Sequence, residues 1–323
     1  MRIQPIDLDA DELISGLHSA YVAATTDDPG PRISLARFRR VCCTPTPGER
    51  PEAWSIVEEG EVVGGYALSL STFDNLHKAS VFPLTVRPEH QGRGLGSALL
   101  DHARDRMRTL GRSLLLTETP ALGGGARFAR AHGMTVALTE ARRTLDLRKT
   151  DWPALERLLP EVEGYSLERW IGPAPEELLP DLAALMNGMN DAPRDNGLRD
   201  VTFTPDVLRA RDELVPVSGQ TCYSVIARRD SDGAPAGYTR VYLDAGRSDP
   251  WGEQSDTTVL KEHRGHRLGL LLKLTNLFWL RDREPHLERV ITWNATSNAH
   301  MLAINEAMGF ELLDEWTQWR LPL

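Results

Sequence analysis

Residues 85–96 read Thr-Val-Arg-Pro-Glu-His-Gln-Gly-Arg-Gly-Leu-Gly, and residues 258–269 read Thr-Val-Leu-Lys-Glu-His-Arg-Gly-His-Arg-Leu-Gly. Glu89 and Glu262 are 173 residues apart. A second landmark recurs downstream: Ala131-His132-Gly133-Met134 corresponds to Ala307-Met308-Gly309-Phe310, with Gly133 and Gly309 separated by 176. Two short matches in the same order, at nearly one spacing, mark an internal repeat. The chain therefore reads as two copies of one domain, residues 1–150 and 151–323. The boundary falls in residues 149–164, where Trp152 to Leu159 can form a linker helix. A length of 323 residues is enough for each copy to bury its own core.

Hydrophobic periodicity gives both copies the same order of elements. The first has a strand at 2–6, a helix at 11–24, and strands at 53–58, 62–70 and 81–86. A helix at 95–109, a strand at 113–117, a helix at 127–132 and a strand at 135–147 follow. The second has a strand at 165–170, a helix at 175–189, and strands at 220–229, 236–244 and 256–260. It closes with a helix at 268–281, a strand at 289–293, a helix at 299–308 and a strand at 311–321. The fold class is α+β.

Composition removes several classes. With 37 Lys and Arg against 46 Asp and Glu, the net charge of −9 excludes broad nucleic-acid binding, which needs a basic surface. It permits a cationic small molecule. The 26 Gly and 21 Pro are ordinary usage, so collagen-like and low-complexity readings fail. Three cysteines predict a reducing cytoplasm and no disulfide scaffold. Acids arrive at Asp7 and Asp9 before any apolar core, which predicts no signal peptide. The most apolar stretch, Leu268 to Leu280, is broken by Lys273, Thr275 and Asn276 and is too short and polar for a membrane span.

The Gly-rich segment carries the chemistry. It follows a strand and opens a helix, where main-chain N–H groups are unpaired and the helix dipole adds positive charge. Glycine allows close approach of an anion. A Rossmann fingerprint fails because Ser97 stands at its third glycine, and the Gly-Lys-Ser/Thr of a P-loop is absent. What remains is Gln/Arg-x-x-Gly-x-Gly/Ala, matched by Gln91, Gly94 and Gly96 in the first copy and by Arg264 and Gly269 in the second, where Arg267 replaces the middle glycine.

This pattern resembles the acetyl-CoA loop of the GNAT N-acetyltransferase superfamily, and the resemblance covers the chain as two tandem domains. Mycothiol synthase has a similar two-domain architecture, although no motif here selects it. The resemblance implies a mixed, twisted sheet whose fourth and fifth strands part, ending here at Val86 and Glu118 and at Val259 and Asn294. It implies acetyl-CoA as cosubstrate. The binding residues so implied are Val86 with Gln91, Gly92, Arg93, Gly94, Leu95, Gly96 and Ser97, and Val259 with Arg264, Gly265, His266, Arg267, Leu268 and Gly269. Main chain at Val86 or Val259 would stabilise the oxyanion.

A base must take a proton from the acceptor ammonium. One branch of the superfamily has a Glu eleven residues before the Gln/Arg, which is Glu253 in the second copy and Ser80 in the first. A solvated turn acid is the competing reading of Glu253. Asp256 is the next candidate, on the opposite face of a regular strand. The tyrosine that many relatives use as acid is replaced by Asn305 and Ala129. Asn294, Asn298 and Asn305 suit hydrogen bonding to the amide-rich pantetheine, or equally helix capping. In the first copy Gly123-Gly124-Gly125 stands there, so catalysis is expected in the second copy.

Other candidates carry less. Cys42 and Cys43 fall in a Pro/Thr-rich loop and Cys222 in a strand. His263 and His266 lack a third ligand spaced for zinc, so no metal is expected. Asp191, Asp195 and Asp200 suit either a solvated loop or a groove for a cationic amine. The expected function is acetyl-CoA-dependent N-acetyl transfer to a small-molecule amine, without nucleic acid or membrane as partner. The alternatives are a catalytically degenerate acyl-CoA-binding or scaffold protein, or an acetyltransferase similar to mycothiol synthase.

Overall fold

A computed structural model describes residues 2–194 and 197–323. In chain order the elements are β1 (Ile3–Ile6), α1 (Asp11–Ala24), α2 (Leu35–Cys43), β2 (Glu49–Glu58), β3 (Glu61–Ser71) and β4 (Lys78–Val86). Next come α3 (Leu95–Thr109), β5 (Leu114–Pro120), α4 (Gly124–Ala131) and β6 (Thr135–Asp146). The second half has α5 (Trp152–Leu158), β7 (Tyr165–Ile171), α6 (Leu179–Asn187), α7 (Pro205–Val217), β8 (Gln220–Arg229) and β9 (Pro235–Asp244). It ends with β10 (Trp251–Val259), α8 (Leu268–Arg283), β11 (Arg289–Ala295), α9 (Ala299–Ala307) and β12 (Glu311–Pro322).

Two of these helices are absent from the periodicity reading. Ser34 caps α2 by accepting from the Arg37 N–H, and Thr204 caps α7 by accepting from Val207, with Pro205 at the first helical position. Cys42 and Cys43 therefore end a helix and are buried, rather than lying in a loop.

The chain forms two compact units. Residues 2–139, 197–199 and 316–323 build the first, and residues 140–194 and 200–315 the second. These units differ from a division at residue 150 because each takes its closing strand from the other copy. In the first unit the strand order is β1-β2-β3-β4-β5-β12, with Trp316–Pro322 antiparallel to Leu114–Pro120. In the second it is β6-β11-β10-β9-β8-β7, with residues 140–146 of β6 antiparallel to Arg289–Ala295. Trp319 is buried in the first unit's core with Leu99, Leu100 and Met107, and its indole N–H donates to Thr119 Oγ1 at 2.9 Å. Leu145 is likewise buried in the core of the second, against residues of α8 and β11.

One irregularity positions the site in each unit. The parallel pairing of β4 with β5 spans only Lys78–Ser80, and that of β10 with β11 only Trp251–Gln254. Beyond those residues the strands part. Just there, each of β4 and β10 carries a β-bulge, in which two residues oppose one on the neighbouring strand. Phe82 and Pro83 oppose Ala67, while Ser255 and Asp256 oppose Arg240. Both bulges fall at the same place in the 173-residue repeat.

Trp319→Ala should cost about 3–5 kcal/mol in urea unfolding, from lost burial and the cavity left behind. Hydrogen exchange should then accelerate in β4 and β5 and stay unchanged in β8 and β9. Acceleration in β8 and β9 instead would contradict the assignment of this strand to the first unit.

Candidate active site

The turn before α3 and the turn before α8 have the same construction. Gly92 and Gly94 have φ of 76° and 81°, and Gly265 and Arg267 have φ of 87° and 58°. Arg267 thus keeps the left-handed conformation that the replaced glycine would adopt, at a cost of roughly 1 kcal/mol. Among the described residues, no acceptor takes the amides of residues 92–97 or 265–270. Ala98 and Leu271 are the first to bond back, to the Gly94 and Arg267 carbonyls. Six consecutive free N–H groups at a helix start form an anion cradle.

The third glycine of each motif serves packing. A Cβ on Gly96 would lie 3.3 Å from the Phe128 ring, and one on Gly269 would lie 3.3 Å from Ile304 Cδ1. The first side chain of each motif ties the turn to the strand before it. Gln91 Nε2 donates to the Val86 carbonyl at 3.0 Å, and Arg264 Nε to the Val259 carbonyl at 3.0 Å. Other side chains of the turns are also engaged: Arg93 pairs with Glu58, Ser97 meets His132 Nε2 at 3.0 Å, and the His266 ring packs near Tyr165. The cradle is therefore main chain, with its side chains holding the turn in shape.

Strand parity aims one more amide. Arg87 N–H donates to the Val63 carbonyl, and Leu260 N–H to the Ala236 carbonyl. Successive strand residues turn their N–H and C=O groups to opposite edges. Val86 and Val259 therefore direct theirs away from β3 and β9, into the gaps beside β5 and β11.

The second unit also has a solvent-open cavity. Leu182 and Met186 of α6, Leu208, Arg211 and Asp212 of α7, and Tyr238, Arg240 and Tyr242 of β9 line it with Asp256. A regular strand would have turned Asp256 to the opposite face from Glu253. The bulge inserts one residue, and Asp256 lines the cavity. Burial pushes its carboxyl above the ordinary aspartate value, opposed by the charges of Arg240 and Arg211. Asp212 and Arg240 form a buried bidentate pair at 2.6 and 3.0 Å. Sequence reading named none of the α6, α7 and β9 residues, whose only signal was spacing at i, i+3 and i+4 on the helices and i+2 on the strand.

Glu253 lies three residues earlier, opposite Tyr242 on one side and Ile291 on the other, where β10 is still paired on both edges. Asn305 is fully buried: Lys273 Nζ donates to its Oδ1 at 2.7 Å, and its own Nδ2 donates to Asn294 Oδ1 at 2.6 Å. Asn298 caps α9 through the Met301 N–H. Of the loop acids, Asp191 pairs with Arg264 at 2.6 Å and Asp200 with Arg194, while Asp195 lies outside the described residues. Lys273, in the sequence only a break in an apolar stretch, has a role in the core. It lies buried inside α8, and burial lowers its ammonium to about 7.

The model of the Acetyltransferase (GNAT) family matches residues 19–134. A tandem GNAT protein from the clavulanic acid biosynthesis pathway, solved without acetyl-CoA, is 30% identical with a TM-score of 0.84. The match covers 99% of this chain and 98% of that one. A GCN5-related N-acetyltransferase from Sphaerobacter thermophilus shares the fold at 15% identity and a TM-score of 0.71, over 99% of this chain and 95% of that one. No curated protein matches.

The unfolded Lys273 holds its proton up to the ordinary 10.5, the folded one only to about 7. Between those values unfolding takes up a proton, so stability rises with pH. In urea titrations from pH 7 to 9, the stability of the native chain relative to Lys273→Met should climb by up to ~1.4 kcal/mol per pH unit. A difference independent of pH would contradict a neutral buried lysine.

Proposed function

The chain belongs to the GNAT acetyltransferase family as a tandem two-domain member, and from that premise we propose that its second unit transfers an acetyl group from acetyl-CoA directly to a small-molecule amine. One observation carries this reading. At the end of β10 a free amide cradle, a main-chain N–H aimed into a strand gap and a cavity-lining carboxyl occur within fifteen residues, Asp256 to Leu270.

The residues fit the cosubstrate. Amides of residues 265–270 match a pyrophosphate in charge and donor chemistry. The unpaired edge of β10 offers donors and acceptors to the amides of a pantetheine arm. Acetyl-CoA supplies an activated thioester. Val259 N–H then stabilises negative charge on the acyl oxygen. Asp256 takes the proton from the ammonium and frees the nitrogen lone pair. The C–N bond forms as the C–S bond breaks, and the second amine proton goes to the departing thiolate. The raised Asp256 carboxyl is matched to this work, being a stronger base than an ordinary aspartate.

The first unit reads differently. It has the cradle and the gap, but its bulge carries Phe82 and Pro83 where the second has Ser255 and Asp256. Phe82 packs edge-on against Tyr21 at 5.4 Å, so that side of the sheet is filled by apolar core. We assign the first unit to holding CoA or to scaffolding.

Thiol release from acetyl-CoA over a panel of amines tests the base. Activity should rise with pH through a limb above the ordinary aspartate range, because Asp256 must be ionised. Asp256→Asn should lower kcat/KM by about 10²–10⁴-fold and abolish that limb. Undiminished turnover in Asp256→Asn at every pH would move the base elsewhere, with Glu253 the next carboxylate on the strand.

A further inference from the structure

The charges in the second unit's cavity do not all neutralise one another. Arg240 is spent on Asp212, with Ser224 Oγ accepting from its Nε at 3.1 Å and Tyr242 OH accepting from its Nη1 at 3.0 Å. Asp212 also accepts from the Ala174 N–H at 2.9 Å. That pair is fully engaged and has no charge left for a ligand. Two ionic groups remain. Asp256 has Ser255 as its hydrogen-bonding neighbour and makes no ion pair among the described residues. Arg211 stacks over the Phe203 ring at 5.0 Å and likewise makes no ion pair among them.

A carboxylate and a guanidinium thus face one cavity without joining. Leu182, Met186 and Leu208 supply the apolar lining around them. An apolar lining that carries one charge of each sign suits a molecule with a short aliphatic spacer between two ionic groups. A planar guanidinium held by an aromatic face is preorganised for bidentate contact with a carboxylate. A cationic group at the same point would be repelled.

Resting on the acetyl-transfer reading above, we propose that the acceptor is an amino carboxylate, its amine bound at Asp256 and its carboxylate at Arg211. Arg211 is then the specificity determinant of the cavity. It selects zwitterionic amines over simple amines and polyamines, and it fixes which nitrogen of a diamino acid reaches the thioester. The reaction balance is unchanged: the ammonium proton goes to Asp256, the C–N bond replaces the C–S bond, and the free thiol leaves.

The test compares matched amines on the full chain by thiol release: L-ornithine with putrescine, L-lysine with cadaverine, and 4-aminobutyrate with butylamine. The carboxylated member of at least one pair should have a kcat/KM tenfold or more above its partner. Arg211→Gln should erase that preference, mainly through KM, and Arg211→Lys should restore part of it. Equal or better turnover of the decarboxylated partners, with the same dependence on Asp256, would overturn the amino-carboxylate assignment and leave acetyl transfer standing. A preference that survives Arg211→Gln would overturn the role of Arg211. Absence of thiol release with every amine would overturn both readings.

Discussion

A parallel strand pair that comes apart after a few residues is the constraint on which the rest of this molecule depends. Parallel strands within a sheet normally satisfy each other's N–H and C=O groups along their length. Here β10 leaves β11 after Gln254, and β4 leaves β5 after Ser80. The bulge at the point of parting does two things at once. It bends the strand, and it shifts the alternation of side chains by one residue. In the second unit that shift brings Asp256 to the cavity, while the Val259 amide still points to the gap. A regular β10 would turn Asp256 to the opposite face, away from the cavity.

The strand end and the helix start are then locked together. Gln91 and Arg264, different side chains at equivalent positions, each grip the carbonyl that ends the preceding strand. Gly96 and Gly269 let the following helix close on Phe128 and Ile304. Both halves have kept these structural ties while their chemistry has diverged. The pair Ser255-Asp256 in one bulge and Phe82-Pro83 in the other is the sharpest divergence, since it exchanges an ionisable group for an aromatic plug. Arg267 shows the limit of motif reading: the loop needs a left-handed residue, and an arginine can supply it at modest cost.

Much of this was legible in residue order. The repeat and the Gly-rich turn are read directly from residue order, and helices such as Asp11–Ala24 and Leu95–Thr109 follow from periodicity. The bulge was not legible. Glu253 through Thr258 is an unbroken polar run that gives no sign of an extra residue, so the face of Asp256 came out reversed. Exchange of the final strands was invisible because β6 and β12 have equivalent patterns and either could close either unit. Lys273 lay in plain view as an interruption of an apolar helix. Its burial follows only from packing on nearly every side of α8. Helix α7 was missed, although Thr204-Pro205, a cap followed by proline at the first turn, is a signal for it.

The central claim is that free main-chain amides at the turns, with the unpaired strand edge beside them, hold coenzyme A. Hydrogen–deuterium exchange with and without CoA reads those amides directly. The account predicts slowed exchange at residues 265–270 and along 256–259, where the second unit's cradle and gap lie. Protection that appears elsewhere and leaves these amides exchanging freely would contradict it.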